Sequence, residues 1–240
     1  MGRKPKIAVV TGAASGLGAA IALGIAKLGY IPVIHYRRSN ADSLRTLKKV
    51  RAIQPDAIRF KADLGNDRQV AKLFNHTLQR YGKVDAVINT VGDFVYKRLE
   101  KTSTDEFRSL IDSNLSSVWN CTKAVLPVMR KQRSGHIINF GCSGAERMVI
   151  REKTTIYYFL KTAVIALTKT WAAEEARFGI RVNSISPGPL SSSVTKPKMP
   201  SGGYVHFEDI VSAVHFLLIG NDTQINGSNI EVTGGWQPGY

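Results

Sequence analysis

The chain has 240 residues, of which 33 are Lys or Arg and 18 are Asp or Glu, so its formal net charge is +15 and its isoelectric point is about 10.0. Its 43% content of hydrophobic residues and mean hydropathy of -0.10 exclude a disordered chain and a polytopic membrane protein. We therefore predict one globular domain over residues 1–240, and the positive charge raises the question of an anionic partner.

Neither the cysteines nor the N-terminus indicates a special location. Cys121 and Cys142 lie in apolar segments without a CxxC motif, which predicts no disulfide, no metal site and a cytoplasmic protein. The apolar stretch from Ile7 to Ala26 follows basic residues, but four glycines interrupt it. A strand, a turn and a helix explain it better than a signal peptide or a membrane span does.

Short apolar runs alternate with amphipathic segments along the whole chain. Strands are predicted at Ile7–Val10, Ile31–His35, Ile58–Lys61, Ala86–Asn89, His136–Phe140, Arg181–Ser186 and Asn229–Thr233. Helices are predicted at Ser15–Leu28, Asp42–Ile53, Asp67–Tyr81, Thr104–Arg130, Tyr157–Phe178 and Glu208–Gly220, with Asn66 as a cap and Ser103 and Glu106 as a capping box. This alternation predicts an α/β, doubly wound Rossmann fold with about seven parallel strands and helices on both faces.

A glycine-rich turn follows the first strand, where ligands bind in this fold. It predicts a pyrophosphate site at the start of the first helix, formed by Gly12, Ser15, Gly16, Leu17 and Gly18. Tight turns also need glycine, but the step from strand to helix favours dinucleotide binding over a purely structural turn.

The spacing Thr11-Gly12-x3-Gly16-x-Gly18 resembles that of the short-chain dehydrogenase/reductase family. Other segments resemble family motifs, in family order over nearly the whole chain: Asp63-Leu64, Asn89-Thr90-Val91-Gly92, Asn114, Tyr157-x3-Lys161, Pro187-Gly188 and Val232-Thr233-Gly234-Gly235. The resemblance implies a nicotinamide-dependent oxidoreductase. It also implies that Asp63, Leu64, Asn89, Gly92, Pro187 and Gly188 bind the cofactor together with Tyr157 and Lys161.

The end of the second strand indicates which cofactor is bound. It reads His35-Tyr36-Arg37-Arg38-Ser39 and lacks the carboxylate that accepts from the ribose 2′-hydroxyl of NAD. We predict NADP(H), with Tyr36, Arg37 and Arg38 near the 2′-phosphate. The alternative is a solvated basic loop.

Tyr157 and Lys161 are four residues apart in a predicted helix and therefore share a face. A lysine cation about 4 Å away would lower the tyrosine pKa from about 10 toward neutrality. The resemblance implies that Tyr157 is the proton donor, that Lys161 also binds the nicotinamide ribose, and that Asn114 anchors a water-linked proton relay. Such a pair also occurs by chance, and Tyr158 is interpreted as a packing aromatic.

The third catalytic position has two candidates. In the family, a serine after the fifth strand donates to the substrate carbonyl, and here Cys142 and Ser143 lie fifteen and fourteen residues before Tyr157. Aligning the strand end places Cys142 at the serine position, but we favour Ser143 because a hydroxyl is the stronger donor. The alternative makes Cys142 a packing thiol and Ser143 a turn residue. Thr90 and Val91 are expected to narrow the cofactor site.

The substrate loop, residues 190–207, is short and rich in Ser, Pro and Gly, which argues against a long helix. In general appearance the chain resembles the 3-oxoacyl-(acyl-carrier-protein) reductases of fatty acid biosynthesis, although residues 35–39 also resemble pteridine reductases. The first resemblance implies a carrier-tethered carbonyl substrate, an acidic acyl carrier protein near Arg130, Lys131 and Arg133, and a homodimer or homotetramer built from the helices Thr104–Arg130 and Tyr157–Phe178 and the C-terminal strand.

Two other classes of function stay open. A dinucleotide-binding regulator with impaired or lost catalysis would explain the altered serine spacing, Thr90-Val91 and the short loop. A nucleic-acid-binding protein would explain the charge, but the basic residues are scattered and no nucleic-acid module is recognised. We therefore expect no nucleic-acid partner and no membrane association.

Overall fold

The computed structural model describes residues 5–149, 151–219 and 224–239. Within them, seven strands form one parallel sheet in the order β3-β2-β1-β4-β5-β6-β7. The strands are β1 (Lys6–Val10), β2 (Tyr30–Tyr36), β3 (Ile58–Lys61), β4 (Ala86–Asn89), β5 (Gly135–Phe140), β6 (Ile180–Pro187) and β7 (Asn229–Val232). The strand order reverses between β1 and β4, and a crevice opens at such a reversal.

Helices cover both faces of the sheet. They are α1 (Gly16–Lys27), α2 (Asn40–Arg51), α3 (Asp67–Tyr81), α4 (Thr104–Ile111), α5 (Ser117–Gln132), α6 (Thr155–Glu175) and α7 (Phe207–Ile219). Two large apolar clusters fill the space on either side: one joins α3, α5 and α6 to the strands, and the other joins α1, α2 and α7 to them. The predicted doubly wound fold is confirmed.

The strand and helix predictions agree with the structure to within two residues at most ends. Asn66 accepts a hydrogen bond from the Gln69 amide at 3.1 Å, and Ser103 and Glu106 form the predicted capping box. The second helix begins at Asn40, two residues before the predicted start. The predicted end of the last helix, Gly220, lies outside the described residues.

The chain is helical from Thr104 to Gln132, which agrees with the prediction of a helical segment over Thr104–Arg130, but the segment is not α-helical throughout. A π-helical turn, Asp112–Ser116, separates α4 from α5. Within it, the Ser113 hydroxyl donates to the Ser109 carbonyl at 2.9 Å, and the Asn114 amide donates to the Leu110 carbonyl at 3.1 Å. Polar side chains thus compete with the backbone for carbonyls in this turn, which is where helical geometry changes.

No helix forms from Leu190 to His206, and a single bridge pairs Leu190 with Val205. Among the described helices, none is long and apolar enough to cross a membrane.

Candidate active site

Two adjoining cavities lie at the carboxyl edge of the sheet. One, of about 390 Å³, is lined by the glycine-rich turn and the ends of β2, β3 and β4. The other, of about 600 Å³, is lined by segments after β5 and β6, by α6 and by Trp236. We call them the cofactor cavity and the substrate cavity. Thr90 and Gly92 line both, so the two cavities adjoin at these residues.

The turn before α1 has the geometry of an anion site. Gly12 and Gly16 have φ values of +61° and +57°, a region that side chains disfavour. A Cβ atom on Gly18 would lie 2.5 Å from the Gly12 carbonyl oxygen, so only glycine fits where the helix approaches the turn. Ser15 is the N-cap of α1, and its side chain makes no capping bond to the first-turn amides. These amides and the helix dipole suit a pyrophosphate.

His35 supports this turn, a role that the sequence interpretation missed. Its Nδ1 accepts from the Gly12 amide at 3.0 Å, and its Nε2 lies 3.0 Å from the Ala62 carbonyl, to which it donates. Burial lowers the pKa of His35 to about 4, so the ring is neutral at pH 7 and can accept at Nδ1. The side chain thus connects the turn to the segment after β3.

Beyond β2, the two arginines differ. Arg37 lies between two carboxylates, 3.9 Å from Asp63 and 3.7 Å from Asp93. Arg38 is exposed, lines the cofactor cavity and forms no ion pair within the described part of the chain. Tyr36 is buried, and its hydroxyl donates to Asn40 Oδ1 at 3.2 Å. Arg38 is therefore the arginine free to meet an additional anion.

The end of β4 is connected to the glycine-rich turn through Thr90. The Thr90 amide donates to Thr11 Oγ1 at 2.9 Å, and the Thr90 hydroxyl donates to the Thr11 carbonyl. Val91 Cγ2 would lie 3.0 Å from a Cβ atom on Gly12. These β-branched side chains therefore pack against the turn.

Tyr157 and Lys161 lie on α6 and line the substrate cavity. The Lys161 ammonium is 5.5 Å from the centre of the Tyr157 ring and donates to the Phe140 carbonyl at 3.0 Å. Burial lowers the pKa of Lys161 to about 8, and burial raises the pKa of Tyr157 above its ordinary value. Burial is the main cause of the raised Tyr157 pKa in this structure, and the lowering of that pKa by Lys161 together with oxidised nicotinamide stays a prediction for the cofactor-bound site.

Asn114 lies in the π-helical turn and is fully buried. Its amide nitrogen donates to the Asp93 carbonyl at 2.9 Å, while its Oδ1 has no partner among the described residues. A Cβ atom on Gly92 would lie 2.5 Å from Asn114 Oδ1 and 3.1 Å from Lys161 Nζ. The unpartnered oxygen and the ammonium therefore both lie close to Gly92.

Ser143 and Cys142 both line the substrate cavity. The Ser143 hydroxyl is buried and has no hydrogen-bond partner in the described chain, so it is free to donate to a substrate. Burial raises the pKa of the Cys142 thiol to about 12, and Cys142 packs in an apolar cluster with Tyr158 and Ile165. The geometry favours the serine as the polar partner of a ligand.

Other residues of the substrate cavity were missing from the sequence interpretation. Phe94 packs edge-on against Tyr157, with ring centres 5.0 Å apart. Arg151 lies over the Trp236 ring, 5.5 Å from its centre. Both come from segments without a motif, and only the charged character of residues 146–155 hinted at Arg151.

The predicted site residues are thus mostly brought together. Lining the cofactor cavity are Gly12, Ser15, Tyr36, Arg37, Arg38, Asp63, Leu64 and Gly92. Lining the substrate cavity are Leu17, Gly92, Ser143, Tyr157, Lys161, Pro187 and Gly188. Gly16, Gly18, Asn89 and Asn114 line neither cavity. Asn89 donates to Asn139 Oδ1 at 2.8 Å, which joins β4 to β5, and its predicted cofactor contact stays a prediction.

Comparison with known proteins agrees with this geometry. A family model described as short chain dehydrogenase matches residues 6–201. The chain is 31% identical to the Bacillus subtilis protein YtkK, over 95% of both chains. It is also 31% identical to the 3-oxoacyl-[acyl-carrier-protein] reductase FabG of Staphylococcus epidermidis, over 96% of this chain and 98% of that protein. The structure of NAD⁺-bound xylitol dehydrogenase aligns with a TM-score of 0.88 and 26% identity, covering 96% and 98% of the two chains. The chain belongs to the short-chain dehydrogenase family of oxidoreductases, which bind a nicotinamide dinucleotide.

Proposed function

We propose that this protein reduces a substrate carbonyl with NADPH. The observation that carries the proposal is that the two cavities share Thr90 and Gly92: the glycine-rich turn lines one of them, and Tyr157, Ser143 and Lys161 line the other. A hydride donor and a proton donor can therefore approach the same carbonyl group.

The residues present fit a dinucleotide. The cofactor cavity of about 390 Å³ lies beside the glycine-rich turn, and the buried Asn114 Oδ1 has no partner among the described residues. The first-turn amides of α1 would hold the pyrophosphate, Arg38 the 2′-phosphate, and Lys161 the nicotinamide ribose. When bound, NADPH supplies the hydride. Arg38 supports NADPH over NADH because the described carboxylates near the end of β2, Asp63 and Asp93, both lie beside Arg37.

Tyr157 acts as the general acid in this proposal. Because burial raises its pKa, the hydroxyl stays protonated at neutral pH and can donate to the carbonyl oxygen as negative charge develops there. The Ser143 hydroxyl donates a second hydrogen bond to the same oxygen. Lys161, with a pKa of about 8, is mostly charged at pH 7 and stabilises the phenolate left by proton transfer. Asn114 holds the water that returns a proton through Lys161.

The test follows NADPH oxidation at 340 nm with a panel of carbonyl compounds that includes acetoacetyl thioesters, quinones and free oxo acids. We expect turnover of at least one class, and a lower KM for NADPH than for NADH. NADPH binding without any turnover would contradict the proposal and favour the regulator with lost catalysis. Equal affinity for NADH would contradict the choice of cofactor.

A carrier-tethered 3-oxoacyl thioester is the substrate suggested by the name of the FabG relative. The basic residues that we expected to bind an acidic carrier stand at the amino end of β5. The active-site cavities lie at the carboxyl end of β5. At roughly 3.3 Å per residue, the two ends of this strand are about 20 Å apart. At the amino end, Arg130 binds the buried Glu175 carboxylate through two nitrogens, which leaves Lys131 and Arg133 exposed. We propose only these two for a carrier, and charge reversal at Lys131 and Arg133 should raise the KM for acetoacetyl-ACP and not for acetoacetyl-CoA.

A homodimer or homotetramer is also proposed. Leu115, Trp119, Ala163 and Leu167, from the π-helical turn, α5 and α6, line an open groove, and Trp119 is 44% exposed. Covering this groove with the same groove of a second copy would bury the indole. Light scattering should give at least twice the monomer mass of 26.3 kDa, and a monomer would contradict the proposal.

A further inference from the structure

An arginine side chain lies in the substrate cavity without an acidic partner. Arg151 lines the cavity together with Ser143 and Tyr157, and it is half-buried. None of the described lining residues is an Asp or a Glu. The other cation in the lining, Lys161, is directed to the Phe140 carbonyl. The substrate cavity is therefore positively charged.

Arg151 is held in place by its backbone and by aromatic rings. Its carbonyl accepts from Thr155 Oγ1 at 2.9 Å and from the Thr154 amide at 3.3 Å, which ties it to the start of α6. Its guanidinium lies over the Trp236 ring, and it lines the same cavity as Tyr158. Contact with the ring does not neutralise the positive charge.

Nearby carboxylates are engaged elsewhere. Glu152, the next residue, lies 3.5 Å from Arg98, and Glu231 accepts from the Gly144 amide at 3.0 Å. No ion pair joins Arg151 to a carboxylate within residues 5–149, 151–219 and 224–239. In contrast, Arg37 and Arg130 both have acidic partners. A partly desolvated guanidinium is stabilised by an anion, and its planar fork fits a carboxylate best.

We propose that Arg151 binds a carboxylate of the substrate, so that the protein reduces oxo acids. This inference rests on the carbonyl reduction proposed above and specifies its substrate class. An oxo acid carries a carboxylate for Arg151, whereas a thioester is neutral at that position. Hydride from NADPH adds to the oxo carbon, the C=O π bond breaks, and its oxygen takes the Tyr157 proton. The products are a hydroxy acid and NADP⁺. The carboxylate stays on Arg151 throughout and is not changed.

The experiment compares oxo acids with their methyl esters as substrates for the full chain. The acids carry the oxo group at carbon 2, 3 or 4, which samples the distance between Arg151 and Tyr157. Arg151→Gln removes the charge, and Arg151→Lys keeps the charge but loses the fork. Arg147→Gln is the matched control, because Arg147 is exposed in the same segment and does not line the cavity. Thermal unfolding verifies that each variant is folded.

For the wild type and Arg147→Gln, we expect kcat/KM to be at least about tenfold higher for one acid than for its ester. Arg151→Gln should lower kcat/KM for that acid by about 30-fold or more, mainly through KM, and should leave the ester within about threefold. Arg151→Lys should recover part of the loss. An ester reduced as well as its acid, or acid reduction that survives Arg151→Gln, would overturn the inference and leave carbonyl reduction standing.

A second measurement separates this inference from the proposed function. Calorimetric titration of the corresponding hydroxy acids into the NADP⁺-saturated protein requires no turnover. Binding that Arg151→Gln weakens by about tenfold or more supports the anion site even if no carbonyl compound oxidises NADPH. Equal binding to the wild type and Arg151→Gln, or no binding to the wild type, would overturn it.

Discussion

The two halves of the crevice present their ligands with different kinds of surface. The cofactor half is mainly backbone, with a glycine turn held by His35 and an arginine, Arg37, between two carboxylates. The substrate half is mainly side chains from distant segments, and its Arg151 lies over the Trp236 ring without an ion pair to a described carboxylate. Cofactor recognition in this chain is therefore local and combines Arg37, which is paired, with Arg38, which has no ion pair among the described residues, whereas substrate recognition depends on tertiary packing around Arg151.

The largest effect is expected at Tyr157. Tyr157→Phe removes the proton donor and should lower kcat by about 10³-fold, since general acids contribute 10²–10⁴-fold. The affinity for NADPH, measured by its fluorescence, should change little. Tyr158→Phe is the control next to it and should keep kcat within several-fold. Turnover by Tyr157→Phe at the wild-type rate would show that the substrate half does not perform the chemistry assigned to it.

Ser143→Ala should lower kcat by about 10²-fold, because one donor to the developing oxyanion is lost. Cys142→Ala removes a buried thiol and should affect stability more than kcat. Steady-state kinetics of the two variants decide between the two candidates left by the sequence. The reverse ranking would assign the carbonyl contact to Cys142.

In the cofactor half, His35 should make stability depend on pH. Its pKa is lowered from 6.5 to about 4, so between these values the unfolded chain binds a proton that the folded chain does not. Stability should therefore fall as the pH drops through this window, by about 3 kcal/mol from His35 alone. His136, also lowered to about 4, adds a similar loss.

The measurement is urea unfolding of the wild type and His35→Asn at a series of pH values, since the asparagine oxygen can still accept from Gly12. His136 is unchanged in both proteins, so the difference between their pH slopes reports on His35. Identical slopes would mean that the imidazole is protonated in the folded protein and that the turn is held differently.

The smallest effect distinguishes Arg38 from Arg37. Arg38→Ala should weaken NADPH binding by about tenfold or more and leave NADH binding unchanged, because one charge-assisted contact to the 2′-phosphate is lost. Arg37→Ala should have the lesser effect, since its charge is already paired with Asp63 and Asp93. Fluorescence titrations measure both, and the opposite ranking would place the phosphate on Arg37.

Much of the fold could be predicted because buried parallel strands appear as continuous apolar runs with glycine-rich turns after them. The π-helical turn within the helical segment over Thr104–Arg130 could not be predicted. It depends on side-chain hydrogen bonds, which leave the apolar pattern of the sequence unchanged. Most of the residues predicted to bind the cofactor line the cofactor cavity for the same local reason. The hydrogen bond from Asn89 to Asn139 could not be predicted, because it depends on how β4 and β5 pair.

The substrate half was less predictable. Phe94 and Arg151 lie in irregular segments. Their positions depend on the end of β4, which precedes Phe94, and on the start of α6, which follows Arg151. The burial that raises the pKa of Tyr157 could not be predicted either, because the sequence shows only its distance in the chain from Lys161. The ion pair of Arg130 with Glu175 could not be predicted either, because the two residues are 45 positions apart in the chain.

In the proposed mechanism, a hydride donor in the cofactor cavity and Tyr157 in the substrate cavity act on the same carbonyl group. The most direct measurement supplies NADPH deuterated at nicotinamide carbon 4, in both stereochemical forms, together with an accepted carbonyl substrate. Mass spectrometry then locates the deuterium in the product. We expect one of the two forms to transfer deuterium to the former carbonyl carbon. In Tyr157→Phe, we expect no deuterated product. Product formed without deuterium from either form, or a bound cofactor that never transfers it, would contradict the account.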